Sequence, residues 1–146
     1  MKNKILVIAF MAIIAGCAWI EKEPSGSENL FEAQNIVNEM FNNYKNYLPG
    51  YLDPYISNDF TPNKYEYLSN ISNAASAEHV IKFSAVAYSA EREDDILTVK
   101  IKWNKKRNKY SNANVNDLSG NAEFVFKDYK KHWMLIKVSG DDPFVN

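Results

Sequence analysis

In the stretch ILTVKIKW (residues 96–103), apolar and polar side chains alternate from Leu97 to Trp103. This period of two is typical of a β-strand with one face in a hydrophobic core and the other in water. The sequence therefore predicts an antiparallel strand with two unlike faces. The apolar face, expected to point inward, carries Leu97, Val99, Ile101 and Trp103. The polar face, expected to point outward, carries Thr98, Lys100 and Lys102.

Three further strands are predicted around this one. HVIKFSAVAYSAE (residues 79–91) has strand composition and ends at the polar turn EREDD. Residues 104–117 form a long polar connection, after which NAEFVFKDY (residues 121–129) alternates again with Phe124 and Phe126 inward. WMLIKVSG (residues 133–140) is nearly all apolar, which predicts a central strand covered on both faces.

Residues before the sheet have helical periodicity. An apolar stripe from Leu30 to Leu48 predicts a first helix that Ser27 caps and Pro49-Gly50 ends. A shorter helix is expected near residues 51–57, and Thr61-Pro62 is expected to begin a third. The stripe of this third helix is Tyr65, Leu68, Ile71 and Ala75. Three helices followed by four hairpin-connected strands predict an α+β fold, with the helices packed on one face of a curved antiparallel meander.

The first twenty residues have a different character. Lys2 and Lys4 precede the apolar run ILVIAFMAIIA, which is the build of a secretory signal. Only 16 uncharged residues separate Lys4 from Glu21, just under the roughly 17–25 that a membrane-spanning helix needs. A membrane span is therefore the weaker alternative.

IAGC (residues 14–17) contains the single cysteine of the chain and resembles the bacterial lipobox. The resemblance implies cleavage before Cys17, diacylation of its sulfur and possible acylation of its new amino group. Two or three acyl chains anchor a protein stably, whereas one gives only marginal binding. The expected organisation is a signal peptide over residues 1–16, a lipid-anchored tether over residues 17–27 and a folded domain over residues 28–146.

The expected mature chain is weakly acidic. Residues 1–16 carry two lysines and no acid, so their removal takes the formal charge from −1 to −3. Such a domain has no general attraction for nucleic acid. Ala18 stands where an aspartate would resemble an inner-membrane retention signal, which favours the periplasmic side of the outer membrane in a bacterium that has one.

The order of the elements resembles the nuclear transport factor 2-like superfamily. The resemblance rests on a long helix, a short helix ending in SNDF (residues 57–60), a third helix and a curved sheet. The segment WMLIKVSGDDPF (residues 133–144) is similar to the last strand of bacterial members, where a tryptophan begins the strand and a Gly-Asp-Pro segment follows. The resemblance implies a cone with a pocket between the first helix and the sheet. Members include isomerases, dehydratases, ligand binders and non-catalytic modules, so the fold leaves the function open.

An isomerase or dehydratase of this kind needs a carboxylate or histidine in the pocket. The predicted inward strand residues are apolar or aromatic and cannot transfer a proton. His79 and His132 lie at predicted strand starts, where side chains usually meet water. Asp59 is the best acid candidate because it ends the second helix, although an aspartate before Phe60 is also an ordinary turn residue.

Motifs for metal ions and for phosphate-binding loops are missing from the sequence. There is no HxxxH pair, second cysteine, Gly-rich loop or Gly-x-Ser-x-Gly sequence. The acids of residues 91–95 are adjacent at a hairpin tip, where a solvated turn is the expected structure. No metal site, catalytic nucleophile or cofactor is predicted.

Two features suit binding. Tyrosines crowd the helical half, and a ring with a polar tip suits a small amphipathic ligand as well as ordinary core packing. The candidate pocket residues are Tyr44, Tyr55, Asp59, Tyr88 and Trp103. The second feature is a basic run, which suits an anionic lipid or acidic partner as well as a solvated hairpin. It comprises Lys100, Lys102, Lys105, Lys106, Arg107 and Lys109.

The favoured hypothesis is an envelope lipoprotein whose non-catalytic cone domain binds a small amphipathic ligand or an envelope protein. One alternative is an envelope isomerase or dehydratase using Asp59 with a tyrosine as electrophile. Another is a structural lipoprotein that self-associates through the outer sheet face, against which the polar residues there argue. An open, tyrosine-lined cavity would favour ligand binding, and a filled one a protein-interaction role. The ligand, the partner and the oligomeric state stay open.

Overall fold

The computed structural model describes residues 26–46, 49–111 and 114–145. Its four strands form one antiparallel sheet in the order β1-β2-β3-β4, which confirms the α+β prediction. The elements in chain order are α1 (Gly26–Asn46), a 3₁₀ helix (Pro49–Tyr55), α2 (Lys64–Ser76), β1 (Glu78–Glu93), β2 (Ile96–Lys109), β3 (Val115–Asp128) and β4 (Trp133–Gly140). The expected signal peptide and Cys17 lie outside the described residues.

Helix α1 packs its predicted stripe against the sheet. Ala33, Val37 and Met40 are fully buried, because residues three and four apart share one face of a helix. The helix begins at Gly26, so the last two residues of the predicted tether are helical. No helix among the described residues is long and apolar enough to cross a membrane.

The helical connection between α1 and the sheet differs from the prediction in two details. The expected second helix is a 3₁₀ helix. Helix α2 begins after Asn63, whose side-chain oxygen accepts a hydrogen bond of 3.0 Å from the Glu66 amide, so Thr61-Pro62 is not its start. Tyr67 and Ile71 are its buried residues, whereas Tyr65 of the predicted stripe is exposed.

The hairpin of β2 and β3 is much longer than its polar composition indicated. Most of the predicted connection over residues 104–117 is strand, with Asn108 paired to Val115. Strand β1 likewise extends to Glu93, which leaves Asp94 and Asp95 as the turn. The predicted inner face of β2 is confirmed, since every one of its apolar residues from Leu97 to Trp103 is buried.

Strand β4 lies at an edge of the sheet and not at its centre. The polypeptide after the 3₁₀ helix covers this edge: the Ser57 amide donates to the Leu135 carbonyl (2.9 Å) and the Thr61 amide to the Ile136 carbonyl (2.8 Å). Because this segment covers it, an edge strand here can be as apolar as a central strand. The apolar composition of β4 therefore wrongly predicted a central position.

The opposite edge, β1, is covered in part by a side chain of α1. The Gln34 amide nitrogen donates to the Ala85 carbonyl (3.1 Å), and its amide oxygen accepts from the Ala87 amide (2.8 Å). One glutamine thus satisfies two backbone groups that a neighbouring strand would otherwise pair.

Candidate functional site

The interior between α1 and the sheet is filled by aromatic rings. After Gly140, whose positive φ of 83° turns the chain, Pro143 and Phe144 are buried. The Phe144 ring centroid lies 5.2 Å from that of Phe41 and 5.4 Å from that of Tyr44. Phe144 therefore occupies the space where the predicted pocket would lie.

A buried ion cluster, which we define as Tyr44, Glu78, Lys105 and Arg107, lies beside these rings. The Lys105 ammonium is 3.0 Å from Glu78 Oε1, and the Arg107 guanidinium pairs with Glu78 Oε2. The Tyr44 hydroxyl donates to Glu78 Oε1 at 3.2 Å. The expectation that the interior holds only apolar or aromatic groups is therefore wrong.

Burial and the Glu78 charge shift the pKa values of two members of the cluster. Burial lowers the pKa of Lys105, and the nearby Glu78 carboxylate counteracts this shift. Burial, and then the Glu78 charge, raises the pKa of Tyr44 well above its usual value. Three donors surround the Glu78 carboxylate, which is therefore the common counter-ion of Lys105 and Arg107.

A small cleft, here called the α2 cleft, lies between α2 and the end of β4 and has a volume of about 180 Å³. Tyr67, Val138 and Asp142 line it together with polar residues of α2. Burial raises the pKa of Asp142, although the hydrogen bond from the Phe144 amide acts in the opposite direction. Burial and the Asp142 carboxylate raise the pKa of Tyr67.

The raised pKa of Asp142 gives stability a defined pH dependence. The folded state binds this proton more tightly than the unfolded state, whose carboxyl titrates near pH ~3.9. The stability contributed by the proton is thus present below that pH and is lost as pH rises through the folded pKa. We expect Asp142→Asn to remove this loss, so its free energy of unfolding relative to wild type increases as the pH rises above about 4.

Urea denaturation of both proteins at several pH values measures this difference. If the difference in the free energy of unfolding between the two proteins does not change with pH, Asp142 has the same pKa in the folded and unfolded states and the prediction is wrong.

The predicted pocket residues are not brought together. Tyr44 belongs to the ion cluster. Trp103 is buried, and its indole nitrogen donates to the Asp141 carbonyl at 2.7 Å. The Tyr55 hydroxyl accepts a hydrogen bond of 2.8 Å from the side-chain amide nitrogen of Asn43.

Asp59 and Tyr88 do not face the interior. Asp59 is exposed, and its carboxylate accepts a hydrogen bond of 2.6 Å from the Tyr129 hydroxyl. Tyr88 is about half exposed, and its ring centroid lies 5.8 Å from the Lys102 ammonium. Asp59 thus stands outside the α2 cleft, and Tyr88 belongs to the outer surface of the sheet.

The basic run divides between the two sides of the sheet. Lys105 points inward to Glu78, which corrects the alternative of a fully solvated hairpin. Four lysines are exposed on the opposite side of the sheet: Lys82, Lys100, Lys102 and Lys106. We call this side of the sheet, which also carries Val86 and Tyr88, the outer face. Period-two alternation continued through residues 104–109 was the signal that distinguishes Lys105 from its neighbours.

Metal binding has no support in the part of the chain that the structure describes. No group of three His, Cys, Asp or Glu side chains there is placed to hold an ion. His79 and His132 are both exposed, as predicted.

Solved structures with the same fold share little sequence with this chain. A nuclear transport factor 2-like superfamily protein from Salmonella enterica serovar Typhimurium has a TM-score of 0.66 at 11% identity, covering 80% of this chain and 92% of its own. A conserved protein from Planctomyces limnophilus has a TM-score of 0.65 at 15% identity, with coverage of 74% and 91%. A ketosteroid isomerase-like protein from Erwinia carotovora has a TM-score of 0.58 at 11% identity, with coverage of 78% and 95%.

These similarities establish the nuclear transport factor 2-like fold, as the order of elements predicted. They extend to the fold alone at such identities. No protein-family model matches the sequence, and no curated protein is detectably similar to it.

Proposed function

We propose that this chain is a lipid-anchored, non-catalytic binding protein of the bacterial cell envelope. It is held in the membrane through Cys17 and recognises an anionic envelope partner on the outer face of its sheet. The observation that carries the proposal is the filled interior: Phe144 is fully buried where a ligand or substrate pocket would lie.

Among the described residues, the α2 cleft is smaller than a usual site for a substrate or a large ligand. Small-molecule sites usually enclose about 300–1,000 Å³, and the α2 cleft has about 180 Å³. Asp142, which lines this cleft, already accepts a hydrogen bond of 2.9 Å from the Phe144 amide. An enzymatic activity that Asp142→Asn abolishes without unfolding the protein would contradict the non-catalytic part of the proposal.

The outer face supports binding because it combines exposed apolar and aromatic side chains with charges. Val86 is 63% exposed and Tyr88 51% exposed. Exposed aromatic and apolar side chains beside lysines suit a partner with anionic groups, since charge complementarity aligns the partners and accelerates their encounter. The lysines also argue against a large apolar interface for self-association through this face.

A cell-based experiment tests the anchor first. Cys17→Ser removes the thiol that would carry the lipid, so we expect the protein to lose labelling by radioactive palmitate and to leave the membrane fraction. Wild type is the control in the same cells. If wild type takes up no label and the Cys17→Ser variant stays as firmly membrane-bound as wild type, the lipid anchor is contradicted.

A second arm of this experiment tests the surface. The photo-cross-linker p-benzoylphenylalanine replaces Tyr88 on the outer face or, as the control, Phe31 on α1, which is 71% exposed. We expect a light-dependent adduct from position 88 and none from position 31. Equal adducts, or none from position 88, would contradict the outer face as the binding surface.

A further inference from the structure

A polar groove of about 410 Å³ crosses the outer face where β1, β2 and β3 run side by side. We call it the lysine groove. The side chains that form its polar lining are Lys82, Ser84, Asn104, Lys106, Asp117 and Ser119. Its volume lies within the range of about 300–1,000 Å³ that is usual for small-molecule sites.

Two of these lysines are directly opposed. Lys82 on β1 pairs in register with Lys106 on β2, and both side chains are exposed on the same face. Like charges in directly opposite positions destabilise a sheet. Among the described residues, neither ammonium makes an ion pair with an acid.

The acid of the groove balances only part of this charge. Asp117 on β3 lies opposite Lys106 in register, on the side away from Lys82. One carboxylate offsets one of two ammonium groups, so the groove keeps a net positive charge. The fold therefore carries an electrostatic cost that a bound anion would remove.

Neutral hydrogen-bond donors adjoin the two lysines. In register, Ser84 pairs with Asn104, and Asn104 with Ser119. Each hydroxyl and the side-chain amide can donate to an oxygen in the groove. A phosphate group carries about −1.5 to −2 charge and three strong acceptor oxygens, so it matches two ammonium groups surrounded by such donors.

We infer that the lysine groove binds the phosphate group of an envelope component. The inference deepens the proposed function, on which it rests, by giving the chemical class that the outer face recognises. A lipid headgroup and a soluble phosphomonoester present the same chemistry, and the experiment separates these two sources.

The test uses the full chain in mild non-ionic detergent micelles, with backbone amide NMR signals of Ser84 and Ser119 as the reporters. One arm adds glycerol 3-phosphate, and the other adds phosphatidic acid to the micelles. In at least one arm we expect saturable shifts that weaken as sodium chloride is raised.

Matched variants separate a built site from general positive charge. Lys82→Gln/Lys106→Gln is expected to weaken binding about tenfold or more, since both charged donors are lost. Lys130→Gln/Lys131→Gln, which removes the same charge at the exposed β3–β4 turn, is expected to leave affinity within about twofold, since charges this distant are largely screened. The groove variant should fold at least as stably as wild type, because the opposed charges are gone.

Each outcome has one interpretation. Shifts with glycerol 3-phosphate assign a soluble phosphate, and shifts with phosphatidic acid alone assign a lipid headgroup; either supports the inference. If both double variants weaken binding equally, or if neither probe shifts the reporter signals, the inference is overturned. The cross-linking experiment at position 88 does not use these phosphate probes. It can therefore still support the proposed function when the phosphate inference fails.

Discussion

Phe144→Ala is expected to lower the free energy of unfolding by about 3–5 kcal/mol, the usual cost of truncating a buried phenylalanine. Phe144 is fully buried, and its ring packs against those of Phe41, Tyr44, Phe83 and Phe124. Removing it leaves an apolar cavity that these neighbours cannot close. Urea denaturation followed by tryptophan fluorescence measures the change.

Phe31→Ala is the matched control, because Phe31 is 71% exposed on α1. Its expected effect is within about 0.5 kcal/mol. If Phe144→Ala cost less than about 1 kcal/mol, the ring would not fill the interior in solution. The hypothesis of an open ligand pocket would then regain its support.

Glu78→Ala is expected to destabilise the protein by a similar amount, about 3–5 kcal/mol. The carboxylate is nearly inaccessible, and it pairs with both Lys105 and Arg107. Its removal leaves cationic groups in a poorly solvated site without their common counter-ion. The same urea denaturation experiment measures the loss.

An exposed ion pair provides the comparison. Asp95 and Lys127 lie 3.9 Å apart, and their side chains are 56% and 37% exposed, so Asp95→Ala should cost at most about 1 kcal/mol. Adding Lys105→Met to Glu78→Ala should restore part of the lost stability, because it removes one buried cation. A double variant no more stable than Glu78→Ala would contradict the electrostatic explanation.

The strand interior could be predicted because its signal is local. In β2 the apolar residues from Leu97 to Trp103 alternate with polar ones, and this period alone fixes which side meets the core. The long stripe of α1 is equally local. Together these patterns were enough for the order of elements and for the α+β fold.

The ion cluster could not be predicted in the same way. Lys105 and Glu78 are 27 residues apart and meet only through the pairing of β1 with β2. Each looked solvated in its own segment: Lys105 stood among cations, and Glu78 lay next to the predicted strand. The burial of Phe144 is also a long-range contact, since its partners lie on α1, β1 and β3.

The glutamine that covers β1 has a consequence for the behaviour of the protein among its own copies. A bare strand edge is a template on which a second molecule can add its own strand, and such pairing leads to aggregates. By occupying the carbonyl of Ala85 and the amide of Ala87, Gln34 interrupts that template near the middle of the strand. A second molecule that added a strand here would have to displace this glutamine, which opposes edge-to-edge growth of the sheet at that point.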